Sequence, residues 1–377
     1  MIYFNNAATS WPKPREVAEA VAQQLREAPA SPGRGGGEND RLLEDCRRLL
    51  AEVLEVSDSS RIVLCASATQ ALNLAILGLD LRAGDRVLTS AWEHNSVLRP
   101  LFRLRDEIGV EVAIVEPGKE GGLDAAQFEK ELDRGCKAVV LTHASNVTGQ
   151  VIDVRPYFAA AKAGGAVTLL DASQSIGCLP VHPRELGADM AAFPGHKCLL
   201  GPTGTGALYV APTVELKQIF TGGTGIRSDL NRHPVDMPMR LEAGTPNLAG
   251  LAGLKAALVW RRENGVEYLN RQRELEAALR RGLAEIPKVR IFEAPVETER
   301  TSAVSFSIIP WRIDELGYVL SESFGIACRS GLHCAPLIHA RIGSAPEGTL
   351  RFSLSGFNSR SEVEQALDAV SRLAGED

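Results

Sequence analysis

The chain has 377 residues, more than a single hydrophobic core usually supports, so two domains are expected. Hydrophobic residues make up 45% and charged residues 23%, the composition of a folded globular protein rather than a disordered one. A net charge of −6 with both signs interspersed argues against nucleic acid or a membrane as partner, and the chain shows neither a leader-like start nor an unbroken apolar span.

Taken in chain order, Gly33-Arg34-Gly35-Gly36-Gly37 is too short to count as low complexity. From about residue 60 to 210, short β-branched runs alternate with helical patterns, the signature of parallel βαβ units. Strands are predicted over 62–64, 86–89, 110–115, 138–142, 167–170 and 207–210, with helices over 69–79, 124–132 and 155–163. Residues 249–262 and 265–286 then read as two long amphipathic helices. After Pro287 the texture turns to strands (289–292, 303–309, 349–354) interleaved with two helices, the pattern of a smaller α+β unit. No flexible tether separates the halves. The expected division is 14–260 as the large domain and 1–13 with 261–377 as the small one.

Seven cysteines at 46, 65, 136, 178, 198, 328 and 334 are scattered, odd in number and without a Cys-x-x-Cys pair. That pattern predicts reduced thiols in a cytoplasmic protein, with neither a disulfide framework nor a metal cluster. Cys46, Cys65, Cys136, Cys178 and Cys198 read as small buried hydrophobes.

The chemistry concentrates at the ends of predicted strands. Ala66-Ser67-Ala68-Thr69 joins a strand to a helix, where N–H groups and a hydroxyl can face an anion. His94, in Ser90-Ala91-Trp92-Glu93-His94, follows another strand end and can stack on a ring. Asp171-Ala172-Ser173-Gln174 ends a third strand, so Asp171 reads either as a turn cap or as a carboxylate aimed into the crevice where such sheets bind ligands. Lys197 sits in Phe193-Pro194-Gly195-His196-Lys197-Cys198, a Gly-rich turn suited to hold an amine rigidly.

With Asn5-Asn6-Ala7-Ala8-Thr9, Ser145-Asn146-Val147-Thr148-Gly149, Glu242-Ala243-Gly244-Thr245-Pro246-Asn247 and Arg329-Ser330-Gly331-Leu332-His333-Cys334, these motifs resemble the class V aminotransferase-fold cysteine desulfurases. The similarity runs from the first residues to the C-terminal helix and is greatest to the Suf-type (group II) branch, which includes selenocysteine lyases. It implies an α/β fold of the pyridoxal 5′-phosphate (PLP) dependent transferase type I, aspartate aminotransferase-like, with a large mostly parallel sheet and a smaller α+β domain.

The resemblance implies that Lys197 carries PLP as a Schiff base, Asp171 partners the pyridine nitrogen, Gln174 the phenolate oxygen, and His94 stacks on the ring. Ala68, Thr69 and His196 take the phosphate, joined by Thr245 from the other subunit of a homodimer. Asn146, Arg351 and Arg329 hold the substrate carboxylate, an Arg fork matching both oxygens. Cys334 takes sulfur from L-cysteine, or selenium from L-selenocysteine, and passes it to a separate acceptor protein; the alternatives are another PLP reaction on the same fold, a C–S lyase or an aminotransferase, and a non-catalytic scaffold subunit. Adjacent His333 and Arg329 are expected to favour its thiolate. No metal is implied. Two positions depart from the family pattern: Pro194 replaces a serine, removing a hydroxyl and an N–H, and Asn5 replaces an aspartate.

Overall fold

The computed structural model describes residues 1–27, 38–225, 229–293 and 299–375, so the Gly33–Gly37 stretch lies outside the described residues. Among these, seven strands form one sheet in the spatial order Ile62–Cys65, Gly206–Val210, Met190–Pro194, Val167–Asp171, Ala138–Thr142, Arg86–Ser90 and Glu111–Val115. Only the two pairings made by Gly206–Val210 are antiparallel. The carboxyl ends of the other six strands therefore open on one edge, where all four motif turns lie.

The sheet is buried on both faces, as a parallel sheet with covering helices must be. Alternation along the strands divides its side chains between two cores: Val139 and Leu141 join one cluster, Ala138 and Val140 the other. Met190–Pro194 was not predicted as a strand. Its sequence, Met-Ala-Ala-Phe-Pro, lacks β-branched residues, and pairing on both sides makes it a strand despite that.

A second sheet follows the order Arg329–Gly331, Thr349–Ser353, Ala303–Ile308, Val289–Phe292, antiparallel throughout. Arg329 and Arg351 are direct register partners, which puts both guanidinium groups on one face. The chain start packs here too, with Ile2–Tyr3 pairing Ile326–Ala327 and Asn5 bridging Ser353. Three helices accompany this sheet in sequence rather than two: Ile313–Phe324, Pro336–Arg341 and Arg360–Leu373.

The two predicted long helices are one, Leu248–Glu285, of 38 residues. A glycine in a helix costs about 1 kcal/mol, and Gly265 does not break this one. Leu251, Leu254 and Leu258 anchor its first half in the large-sheet core, while Leu275, Leu279 and Leu283 anchor its second half in the core of the small sheet. Burial at both ends outweighs the local weakness. None of the described helices is long and apolar enough to cross a membrane.

The expectation that every cysteine is reduced fails at one place: Cys178 and Cys198 form a disulfide, with Cα atoms 5.9 Å apart. Gly177, at φ +81°, turns the chain so that Cys178 meets Cys198, a pairing that a sequence separation of 20 hides. The other five cysteines are free.

His143 follows the strand Ala138–Thr142 and is 5% exposed, with Nδ1 buried and unpartnered. Burial, aided by Arg155 and opposed by Asp153, pulls it down to about 4. The unfolded chain binds this proton at the ordinary histidine value and the folded chain refuses it. Its contribution is therefore complete above pH 6.5 and lost as pH falls toward 4. Replacing His143 by Gln should flatten denaturant stability across that window by on the order of 1–3 kcal/mol, measured by urea unfolding at pH 7 and pH 4.5.

Candidate active site

Each relevant strand end carries one wall of the site. Beyond Ile62–Cys65, Ser67 caps the helix Ala68–Gly78 by accepting from the Gln70 N–H at 3.1 Å. The Ala68 and Thr69 amides in that first turn have no intrahelical acceptor, which leaves a seat for an anion. Beyond Arg86–Ser90, the buried Glu93 carboxyl accepts from the Ser90 hydroxyl at 2.6 Å and the Thr142 N–H at 2.9 Å. Burial pushes Glu93 up to about 8, so at neutral pH an uncharged acid ties the His94 turn to the next strand.

His94 Nδ1 accepts the Ser96 N–H at 3.0 Å, which leaves the ring proton on Nε2. Burial, with Lys197 and Arg329 nearby, holds the ring near 4 and therefore neutral. The Ser96 hydroxyl also lies 2.8 Å from that of Thr69, joining the ring to the anion seat.

Asp171 ends its strand 3% exposed and accepts from the Ser173 N–H at 2.9 Å. Burial raises its carboxyl, and Lys197 pulls the other way. Gln174 donates one amide hydrogen to the Ala7 carbonyl at 3.0 Å. On the neighbouring strand, the Gly195 N–H donates to Thr205 O at 2.8 Å, and a Cβ at Gly195 would meet Thr205 Oγ1 at 2.3 Å. Only glycine fits there, and the close approach sets His196 and Lys197 in place. Burial lowers the Lys197 amine to about 8, with Asp171 opposing. His196 is held near 4, its Nδ1 buried without a partner.

The small sheet closes the other side. Arg351 is 1% exposed; it donates to Asn146 O at 2.6 Å and to Asn5 Oδ1 at 3.3 Å, and its Nε has no partner. Among the described residues, no carboxylate pairs with Arg351 or Arg329. Burial, then the Arg329 charge, lowers Arg351 to about 9.

Every expected residue except Thr245, His333 and Cys334 lines one cavity of about 220 Å³. Thr245 is exposed and does not line it. Cys334 stands beside it, its Sγ 3.1 Å from Arg329 Nη2. His333 and Cys334 both adopt left-handed backbone, at φ +49° and +61°, a conformation costly for residues with a Cβ. Hydrogen bonds from Asn146 Nδ2 to His333 O at 2.6 Å and from the Asn95 N–H to Cys334 O at 2.7 Å hold this turn against the large sheet.

One expected role is corrected. His333 is buried and pulled to about 2, so it supplies no positive charge to the thiol. Its Nε2 lies 2.9 Å from Thr349 Oγ1, in a chain that continues through Ser305 Oγ to Val147 O. Arg329 is the cation that touches the sulfur. Ser96, Asn5 and Pro194 belong to the site without an assigned role in the sequence reading; of these, Ser96 was detectable as a polar residue in the first turn of a helix.

Residues 2–366 match the family model described as aminotransferase class-V. The chain belongs to this family. Relatives of the chain include a probable cysteine desulfurase of Methanothermobacter thermautotrophicus, 33% identical over 99% of this chain and 94% of the relative. A cysteine desulfurase of Haloferax volcanii is 31% identical over 98% of this chain and 88% of its own. Among solved structures, the apo cysteine desulfurase of Thermococcus onnurineus superposes with a TM-score of 0.87 at 31% identity, covering 99% and 94% of the two chains. The Escherichia coli cysteine desulfurase CsdA, solved in an S-sulfonic acid form, gives 0.87 at 28% identity, covering 98% and 94%.

Proposed function

We propose that this protein is a PLP-dependent cysteine desulfurase that converts L-cysteine to L-alanine and takes the sulfur onto Cys334 as a persulfide. The observation that carries this reading is the Arg329–Cys334 contact, a thiol held by a cation at the edge of the Lys197 cavity.

The residues present fit PLP. The free first-turn amides, the Thr69 hydroxyl and the orphaned His196 Nδ1 suit its phosphate, Asp171 its ring nitrogen, Gln174 its phenolate oxygen, His94 its ring face and Lys197 its carbonyl carbon. When bound, PLP supplies an electron-withdrawing ring that takes up charge as bonds at the substrate Cα are altered.

The remaining work falls to the chain. Arg351 and Arg329, with no acidic partner among the described residues, bind the substrate carboxylate, helped by the Asn146 amide. The Lys197 amine, near 8, accepts and returns a proton at neutral pH, as a general base requires. Neutral His94 offers a proton at Nε2. The Cys334 thiolate takes the sulfur: the substrate Cβ–S bond breaks, an S–S bond forms, and Cβ gains hydrogen. Cysteine and one enzyme thiol thus give alanine and one enzyme persulfide, with no outside oxidant or reductant.

Two further readings concern assembly. Exposed Thr245, outside its own cavity, supports a homodimer in which it reaches the partner's phosphate seat. The anchored Cys334 turn supports hand-over of sulfur to a separate acceptor protein, as in the Suf-type branch.

The test is incubation of PLP-loaded protein with L-cysteine. With a reductant present, alanine and sulfide should form in equal amounts; without it, alanine should stop near one per Cys334. Pyruvate in place of alanine would overturn the assignment. Replacing Arg351 by Lys removes the two-pronged contact but keeps the charge. This should raise KM about tenfold or more while kcat changes less, as steady-state kinetics on L-cysteine would measure.

A further inference from the structure

Behind the cofactor-facing side of Lys197 lies a second set of contacts that the reaction does not use. The turn after Asp171–Gln174 and the turn after Lys197 leave neighbouring parallel strands, with Asp171 and Ala192 in register. The Cys178–Cys198 disulfide joins these turns, and Cys198 directly follows Lys197. Arg261, from the long helix, spans the same two turns: Nη1 donates to Cys198 O at 2.7 Å and Nη2 to Gly177 O. A Cβ at Gly177 would stand 2.9 Å from Cys198 O, so the two backbones already touch. One tie is covalent and the other a charged fork. Only the first responds to redox conditions.

We propose that the Cys178–Cys198 disulfide is a reversible thiol switch on the cofactor site. Formed, it fixes the Lys197 turn against the Asp171–Gln174 turn. Reduced, it leaves the Arg261 fork to hold the two turns, and the hold on the cofactor loosens without loss of the fold. This rests on Lys197 and Asp171 holding PLP, as assigned above, and not on the identity of the reaction.

The chemistry balances with a dithiol as reductant. Cys198 is half-buried and Cys178 buried, so a thiolate attacks the Cys198 sulfur, the S–S bond breaks and Cys178 leaves as a thiolate that takes up a proton. The second thiol of the reductant then displaces Cys198, which also leaves as a thiol, and the reductant becomes a cyclic disulfide. Two electrons and two protons pass to the protein.

The test begins with holoenzyme exposed to oxidised glutathione and alkylated under denaturing conditions without reductant. The 178 and 198 peptides should be recovered joined and unlabelled; alkylation of both Cys178 and Cys198 would overturn the proposal. A second sample is reduced with a trialkylphosphine, which is then removed without air. PLP dissociation, followed by its visible absorbance, should be about tenfold faster than in the oxidised enzyme, with faster hydrogen exchange over residues 171–178 and 195–201. Cys178→Ser should show the fast rate in both conditions. Arg261→Met should matter more in reduced than in oxidised enzyme, because the two ties back each other up. Equal dissociation rates for oxidised, reduced and Cys178→Ser protein would sink the switch. If the switch behaves as stated while cysteine is not turned over, the reaction assigned above fails and this inference stands.

Discussion

Replacing Lys197 by Ala should lower turnover of L-cysteine by at least about 10⁴-fold, because one substitution removes both the amine that tethers the cofactor and the base that moves the proton. The anion seat at Ala68 and Thr69, the Asp171 carboxylate and the Arg351–Arg329 pair all remain, so the variant should still take up PLP and substrate. Lys197→Arg tests the same point from the other side. It keeps a charge in place, yet a guanidinium does not give up its proton near pH 8 as the buried amine does. Absorbance spectra of the two variants with PLP, together with steady-state alanine formation, measure both effects. Turnover above about 1% of the wild-type rate in either variant would contradict this assignment.

Replacing Cys334 by Ala should reduce sulfide and alanine formation from L-cysteine by about 10³-fold or more, the scale expected when a nucleophile is deleted. Substrate binding should survive, because Cys334 does not line the cavity and the carboxylate contacts lie with Arg351, Arg329 and Asn146. A spectral change on adding cysteine, without product, is the expected signature. Sulfide release at the wild-type rate would mean that the sulfur never passes through Cys334.

What the sequence disclosed follows from how local each signal is. The strands of the large sheet announce themselves by β-branched runs, and the motif turns at their ends carry their chemistry in consecutive residues, so most of the cavity lining was visible before any coordinates. Met190–Pro194 escaped because its strand character comes from neighbours on both sides rather than from its own residues. The single long helix escaped because Gly265 is a local signal and the two cores that hold the helix are not. His333 was misread for a related reason: adjacency to Cys334 was legible, whereas its burial and its bond to Thr349 depend on the folded small sheet. The disulfide lay beyond reach because nothing near Cys178 or Cys198 points to the other.

The unbroken helix Leu248–Glu285 is about 57 Å long at 1.5 Å per residue, and each of its ends is embedded in a different core. It behaves as a beam shared by two walls. A loop between the walls would let the carboxylate-binding arginines swing over a substrate as a door does; a beam permits only the small deflection that its own bending allows. Alignment of the Arg351 side with the Lys197 side is thus settled when the chain folds, and the arriving amino acid has little mechanical work left to do.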